Sequence, residues 1–162
     1  MNDTPRLLRD GEGDVLGNPL ACTDRFMIEG DASGGRFALV EHTIAPGALA
    51  APMHMHANED EFTYVLAGTF AAMLGGHEVG ARPGDLVFKP RGQWHTFWNP
   101  GDEPTRVLEI ISPAGLEQFF RLVDAPEAEQ DMAAIAEMAA RIGCDVDEAA
   151  TGALAERLGL RF

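Results

Sequence analysis

Between residues 21 and 112 the apolar positions fall in short runs: "RFALVEHTI", "FTYVLAG", "TFAAML", "DLVFKP", "WHTFWN" and "TRVLEIIS". They are rich in Val, Phe, Thr, Ile and Trp and are separated by "APGALAAP", "GGHEVGARPGD", "PRGQ" and "NPGDEP". Many short, evenly spaced strands punctuated by Gly and Pro predict a sandwich or a closed barrel. Residues 1–20 are polar, carry Gly and Pro, and read as a loose arm.

From residue 113 the period changes from that of a strand to that of a helix. Leu116, Phe119, Phe120 and Val123 form one helical stripe. Ser112-Pro113 suggests an N-cap and a first-turn proline for it. Met132, Ile135, Met138, Ala139 and Ile142 form a second stripe that stops at Gly143. Asp145 and Glu148 suggest a capping box for a third helix carrying Val146, Ala149, Ala150, Leu154 and Leu158, with Gly152 as its weak point. The predicted class is mainly β, residues 21–112, followed by a C-terminal α-helical segment, residues 113–162.

Composition narrows the partners. The chain has 162 residues, 46% of them hydrophobic, which suits one domain with its own core. Lys+Arg number 12 against 26 Asp+Glu, a formal charge of −14. Such a surface repels nucleic acid and anionic membranes, so neither is an expected partner. Cys22 and Cys144 are far apart and form no CxxC pair, so two reduced, buried thiols and a cytoplasmic location are expected. The first residues lack the apolar core of a signal peptide, and no window approaches a membrane span.

The stretch "MHMHANEDE", residues 53–61, carries the candidate chemistry. In a strand, His54 and His56 share one face and Met53 and Met55 the other. Imidazole is the commonest neutral metal ligand, but two histidines could equally stand in a solvated loop. A third, His95, lies in "GQWHTFWN". Glu59, Asp60 and Glu61 compete for a carboxylate role. If Glu61 points inward, alternation carries Thr63 and Val65 inward with it and Phe62 and Tyr64 outward. If His95 points inward, so does Phe97, and Trp94 and Trp98 point out, where a helix (the Phe119-Phe120 stripe) or a second subunit must cover them. His42 and His77 are expected to have no role, Lys89 to be exposed, and Asn99 to hold a turn.

"GALAAPMHMHANEDEFTYVLAG" and "GDLVFKPRGQWHTFWN" resemble the first and second motifs of the cupin superfamily, in order. Gly84, Pro90, Gly92, His95 and Asn99 stand at the marked positions of the second motif. Gly47 lies one residue further from the first histidine than usual, within a loop. Fifteen residues separate Gly68 and Gly84, which resembles the spacing of single-domain bacterial cupins.

The resemblance implies a jelly-roll β-barrel around one divalent transition metal (Fe, Mn, Ni, Co, Cu or Zn) held by His54, His56, Glu61 and His95. It assigns the carboxylate to Glu61, with six residues between it and Gly68, and leaves Glu59 and Asp60 to solvent. Four protein ligands leave positions open on the ion, as a catalytic metal requires. The layout, with helices beginning "GLEQFFRLV" after the barrel, resembles small quercetinase-like cupins. That implies a dioxygenase using O2 on a small aromatic or enolic substrate, with Glu61 as general base. A non-redox isomerase or decarboxylase and a non-enzymatic ligand-binding module are the alternatives, and a homodimer is the expected assembly.

Overall fold

A computed structural model describes residues 5–126 and 130–162. Alternating residues build two antiparallel sheets that face each other. The larger contains β1 (Asp14–Gly17), β2 (Cys22–Ile28), β3 (Ala38–Ile44), β5 (Asp60–Ala67), β8 (Leu86–Lys89) and β10 (Thr105–Ser112), in the order β1-β2-β3-β10-β5-β8. The smaller contains β4 (His54–Met55), β6 (Phe70–Leu74), β7 (His77–Ala81), β9 (His95–Trp98) and β11 (Asp145–Val146), in the order β11-β4-β9-β6-β7. The chain is thus mainly β, a jelly roll followed by helices. Of the two expected forms it takes the two-sheet one, since the sheets do not join into a closed barrel.

The inward faces of the sheets meet in one core. Ile44, Val65, Phe70, Ala72, Val87, Phe97 and Val107 are buried together there. A second cluster, Phe26, Val40, Ile111, Leu116 and Ile142, continues this interior beneath the helices. Asn99 ties the sheet ends as expected: its Nδ2 donates to the carbonyls of Ile44 (3.0 Å) and Glu103 (2.7 Å), and its Oδ1 accepts from Gly101 N (2.9 Å).

The helices are a short α1 (Gly30–Ser33), α2 (Leu116–Val123), α3 (Met132–Ile142) and α4 (Glu148–Leu158). Their starts differ from those read in the sequence. Ser112 closes β10 and does not cap α2; the cap is Gly115, whose N–H donates to Glu117 Oε2 at 2.6 Å. Asp145 and Val146 are strand rather than helix, and α4 is capped by Asp147, which accepts from Ala150 N at 2.8 Å. Tertiary pairing decided this, since Asp145 and Val146 pair with Met55 and His54. Gly143 stops α3 as expected, at φ 63, where a Cβ would also stand 2.8 Å from that of Ala57.

Two further expectations change. Within the arm at 1–20, of which residues 1–4 lie outside the described residues, Asp14–Gly17 pairs with β2 as an edge strand. Backbone pairing needs no apolar alternation, so the pattern carried no signal there. Trp98 does face outward and is covered, but by Leu154 of α4 together with Leu49 and Met53. Phe119 and Phe120 pack on the other side, in the cluster of Phe26 and Ile111. Trp94 stays 38% exposed.

Candidate functional site

The site lies between the two sheets. His54 of β4 is paired with His95 of β9, which sets their rings side by side with centroids 4.3 Å apart. His56, immediately after β4, is buried with its ring centroid 5.2 Å from that of His95. Glu61 arrives from β5 in the opposite sheet, pointing inward with Thr63 and Val65. Ligand-type atoms of His54, His56, Glu61 and His95 all lie within 4.8 Å of one another. Met53 points away into the cluster of Trp98 and Leu154. The C-terminal segment clamps this region: Met53 N donates to Thr151 Oγ1 (2.8 Å), and Asp147 N donates to Met53 O (2.9 Å).

The hydrogen bonds orient the imidazoles as a metal would need them. His54 Nδ1 donates to Pro52 O at 2.8 Å and His95 Nδ1 to Gln93 O at 2.9 Å, since a carbonyl can only accept. Each ring then directs Nε2 into the cluster, the arrangement in which an outer hydrogen bond sets the tautomer of a metal-binding histidine. Burial, helped by neighbouring His95, lowers the His54 pKa to about 3, so its ring is neutral. Burial would raise the Glu61 pKa; Lys89, together with the neighbouring His56 and His95 rings, outweighs it and holds the carboxyl well below its ordinary range. Glu61 Oε2 stands 2.9 Å from His95 Nε2 and 3.1 Å from His56 Nε2. Both ring nitrogens of His56 are buried without a hydrogen-bond partner among the described residues. A divalent cation would satisfy these converging lone pairs and the carboxylate, so the donor set fits a transition ion.

Two nearby residues depart from expectation. Lys89, expected on the surface, is 1% exposed. Its Nζ lies 3.2 Å from Glu61 Oε2, 3.1 Å from Glu109 Oε2, and 4.5 Å over the Phe97 ring. Thr63 Oγ1 donates to the same Glu109 oxygen at 2.7 Å. Glu59, expected in a solvated acidic loop, is 4% exposed, with Oε2 3.6 Å from His56 Nδ1. Asp60 alone of the two stays at the surface, bound by Arg91 at 2.7 Å. His42 is also buried, and its Nδ1 lies 2.7 Å from Asp24 Oδ1. His77 is exposed, as expected.

Alternation held the missing signal. Lys89 has the parity of buried Val87, Glu109 that of Val107 and Ile111, and His42 that of Val40 and Ile44. Each polar residue therefore stood on an inward face, where a charge requires a partner.

His54 and Glu61 open onto a cavity of about 330 Å³ whose other walls include Phe97, Phe119, Phe120 and Phe162. His42, Asp24 and Asp124 also line it, and no Lys or Arg does among the described residues. Much of the wall (Leu116, Phe119, Phe120, Val123, Val146 and Phe162) comes from the C-terminal segment.

Two facing antiparallel sheets with this cluster between them match a known family over residues 40–111, the cupin domain. The fold is that of the cupins. A curated relative, the tetracenomycin polyketide synthase protein TcmJ of Streptomyces glaucescens, is 34% identical over 70 residues, 43% of this chain and 46% of that protein. Quercetin 2,3-dioxygenase of Bacillus subtilis (strain 168) is 27% identical over 124 residues, 75% of this chain and 35% of that protein. The chain spans less than half the length of the curated relatives it matches. The cupin-superfamily sugar phosphate isomerase from Silicibacter pomeroyi superposes with a TM-score of 0.57 at 24% identity, covering 66% of this chain and 75% of that one. That likeness establishes the shared fold.

Proposed function

We propose that this cupin binds one divalent transition ion through His54, His56, Glu61 and His95 and acts as a dioxygenase on a small aromatic or enolic compound. The observation that carries the reading is a four-residue ligand cluster opening onto a cavity walled by phenylalanines. A redox-capable ion supplies open coordination positions and one-electron chemistry with O2. The chain's own residues supply the rest. Phe97, Phe119 and Phe120 hold a flat apolar ring and exclude water. Glu61 accepts the proton of a substrate hydroxyl, and Lys89 keeps that carboxylate anionic beforehand. Both atoms of O2 enter the substrate, so no external reductant is required.

The test is oxygen uptake by metal-loaded protein offered flavonols, catechols, β-diketones and thiols. Consumption with an aromatic or enolic member is expected, and none with any of them would sink the reading. The second reading is a non-redox isomerase or decarboxylase using the same ion as a Lewis acid. The carboxyls of buried Asp24 and half-buried Asp124 on the cavity wall, groups able to handle protons, favour it. Turnover with Zn(II) under nitrogen would decide for it. The two free cysteines suit a cytoplasmic protein. Among the described residues no helix is long and apolar enough to cross a membrane.

A further inference from the structure

The inward positions of β3 are Ala38, Val40, His42 and Ile44, so a histidine interrupts an apolar row at the cavity wall. Its ring is held on both sides, with centroids 5.8 Å from Phe97 and 5.7 Å from Phe120. Asp24 Oδ1 lies 2.7 Å from His42 Nδ1 and also accepts from Cys22 Sγ at 3.6 Å. Asp124 lines the cavity beside them, and its Oδ2 is buried without a partner among the described residues. This second polar group contributes nothing to the four-residue cluster, yet it shares the same cavity.

We propose that His42, oriented by Asp24, binds a phenolic hydroxyl of the substrate away from its hydroxy-keto edge through Nε2, and that the cavity selects uncharged, hydroxylated ring compounds over phosphorylated or carboxylated ones. The inference rests on the cavity being the substrate site of the reading above. Nδ1 is committed to Asp24, which leaves Nε2 as the ring atom free to meet a ligand. The ionisable groups around the ring are Asp24, Asp124, Cys22 and, further off, Glu109. All are acids, and no Lys or Arg lines the cavity among the described residues, so the positive charge of the His42 ring is already matched by Asp24 and none is left over for a substrate phosphate or carboxylate. Burial would lower the His42 pKa, but Asp24 outweighs it and raises it well above the ordinary value. The ring therefore presents a charge-assisted N–H donor, which suits a phenolic hydroxyl oxygen.

Cys22, Asp24 and His42 also bring ligand-type atoms within 4.8 Å of one another, as a second metal site would. Two observations favour the hydroxyl pocket. Asp24 is already engaged by both neighbours, and burial pushes the Cys22 thiol up to about 11, away from the thiolate a metal binds.

The test is ligand binding under nitrogen to metal-loaded protein, followed by quenching of tryptophan fluorescence. Quercetin is compared with 3-hydroxyflavone, which keeps the hydroxy-keto edge and lacks the remaining hydroxyls, and with quercetin carrying a phosphate ester. Wild type should bind quercetin about tenfold more tightly than either other compound, the discrimination expected of one hydrogen bond to a charged group. His42→Phe should lose that preference and leave 3-hydroxyflavone binding unchanged, and His42→Gln should restore part of it. Cooperative thermal melting of both variants verifies the fold.

Equal weakening of both flavonols in His42→Phe, no weakening, or no binding of either by wild type overturns the inference. So does tighter binding of the phosphate ester, or a second metal equivalent lost with His42. Oxygen uptake without His42-dependent discrimination defeats this inference and leaves the dioxygenase reading in place. Discrimination without oxygen uptake does the reverse.

Discussion

His56 is a buried imidazole with both nitrogens unpartnered among the described residues, beside Glu61 on one side and Glu59 on the other. An unpaired polar group at such depth is costly unless a ligand satisfies it. His56→Ala should therefore lose most of the bound metal while the fold persists, because the removed ring contacts the cluster rather than an apolar core. Elemental analysis of purified protein is expected to give close to one transition ion per wild-type chain, and retained stoichiometric metal in the variant would count against the assignment.

Asp124 shows how a single carboxyl couples to pH. Burial, reinforced by Asp24, raises its pKa to about 8, against 3.8 in the unfolded chain. Between those values the unfolded state has lost a proton that the native state keeps, so stability falls as pH rises through the window. Asp124→Asn keeps a hydrogen-bond donor toward Asp24 and abolishes the titration. Its Tm should exceed that of wild type by about 3–5 °C at pH 8. The gap should close toward pH 4, and a constant gap across calorimetric scans would refute the linkage.

At the scale of elements, the helical segment completes the jelly roll. α4 covers the outward Trp98, and the adjoining β11 adds its pair of residues to the edge beside His54. Leu154, 5% exposed, is the side chain that seals Trp98 and Met53. Leu154→Ala should destabilise the protein by about 2–5 kcal/mol through the cavity left behind. That corresponds to a Tm lower by about 5–15 °C for a chain of this size, measurable by scanning calorimetry. The stripes that predicted the helices were legible because burial on one face repeats with the helical period. Their caps and partners were not, because Asp145 and Val146 became strand only by pairing with residues about ninety positions earlier.

For the molecule as a whole, one surface lacks a cover. Phe88 and Leu86 on edge strand β8 are 49% and 58% exposed, and Tyr64 beside them on β5 is 40% exposed. Phe62 and Phe88 stack there with ring centroids 4.9 Å apart. An apolar face at an open sheet edge suits a second copy of the chain. Multi-angle light scattering is expected to show a dimer, and Phe88→Lys should convert it to monomer. A wild-type monomer at micromolar concentration would disprove the pairing.

The sequence by itself determined the alternation that makes this chain mainly β, the change of period at residue 113, and the histidines and Glu61 that converge between the sheets. These are local properties: side-chain direction follows from backbone period, and the ligand types follow from their motifs. Tertiary structure alone decided which inward polar residues meet. Glu61 and His95 lie 34 positions apart yet stand 2.9 Å from each other, and Lys89 settles between Glu61 and Glu109 because the sheets bring three distant strands to one interior point. It also decided that His42 shares a cavity with the cluster and that the last helices wall that cavity. Such contacts depend on sheet order and crossover, which no local pattern encodes.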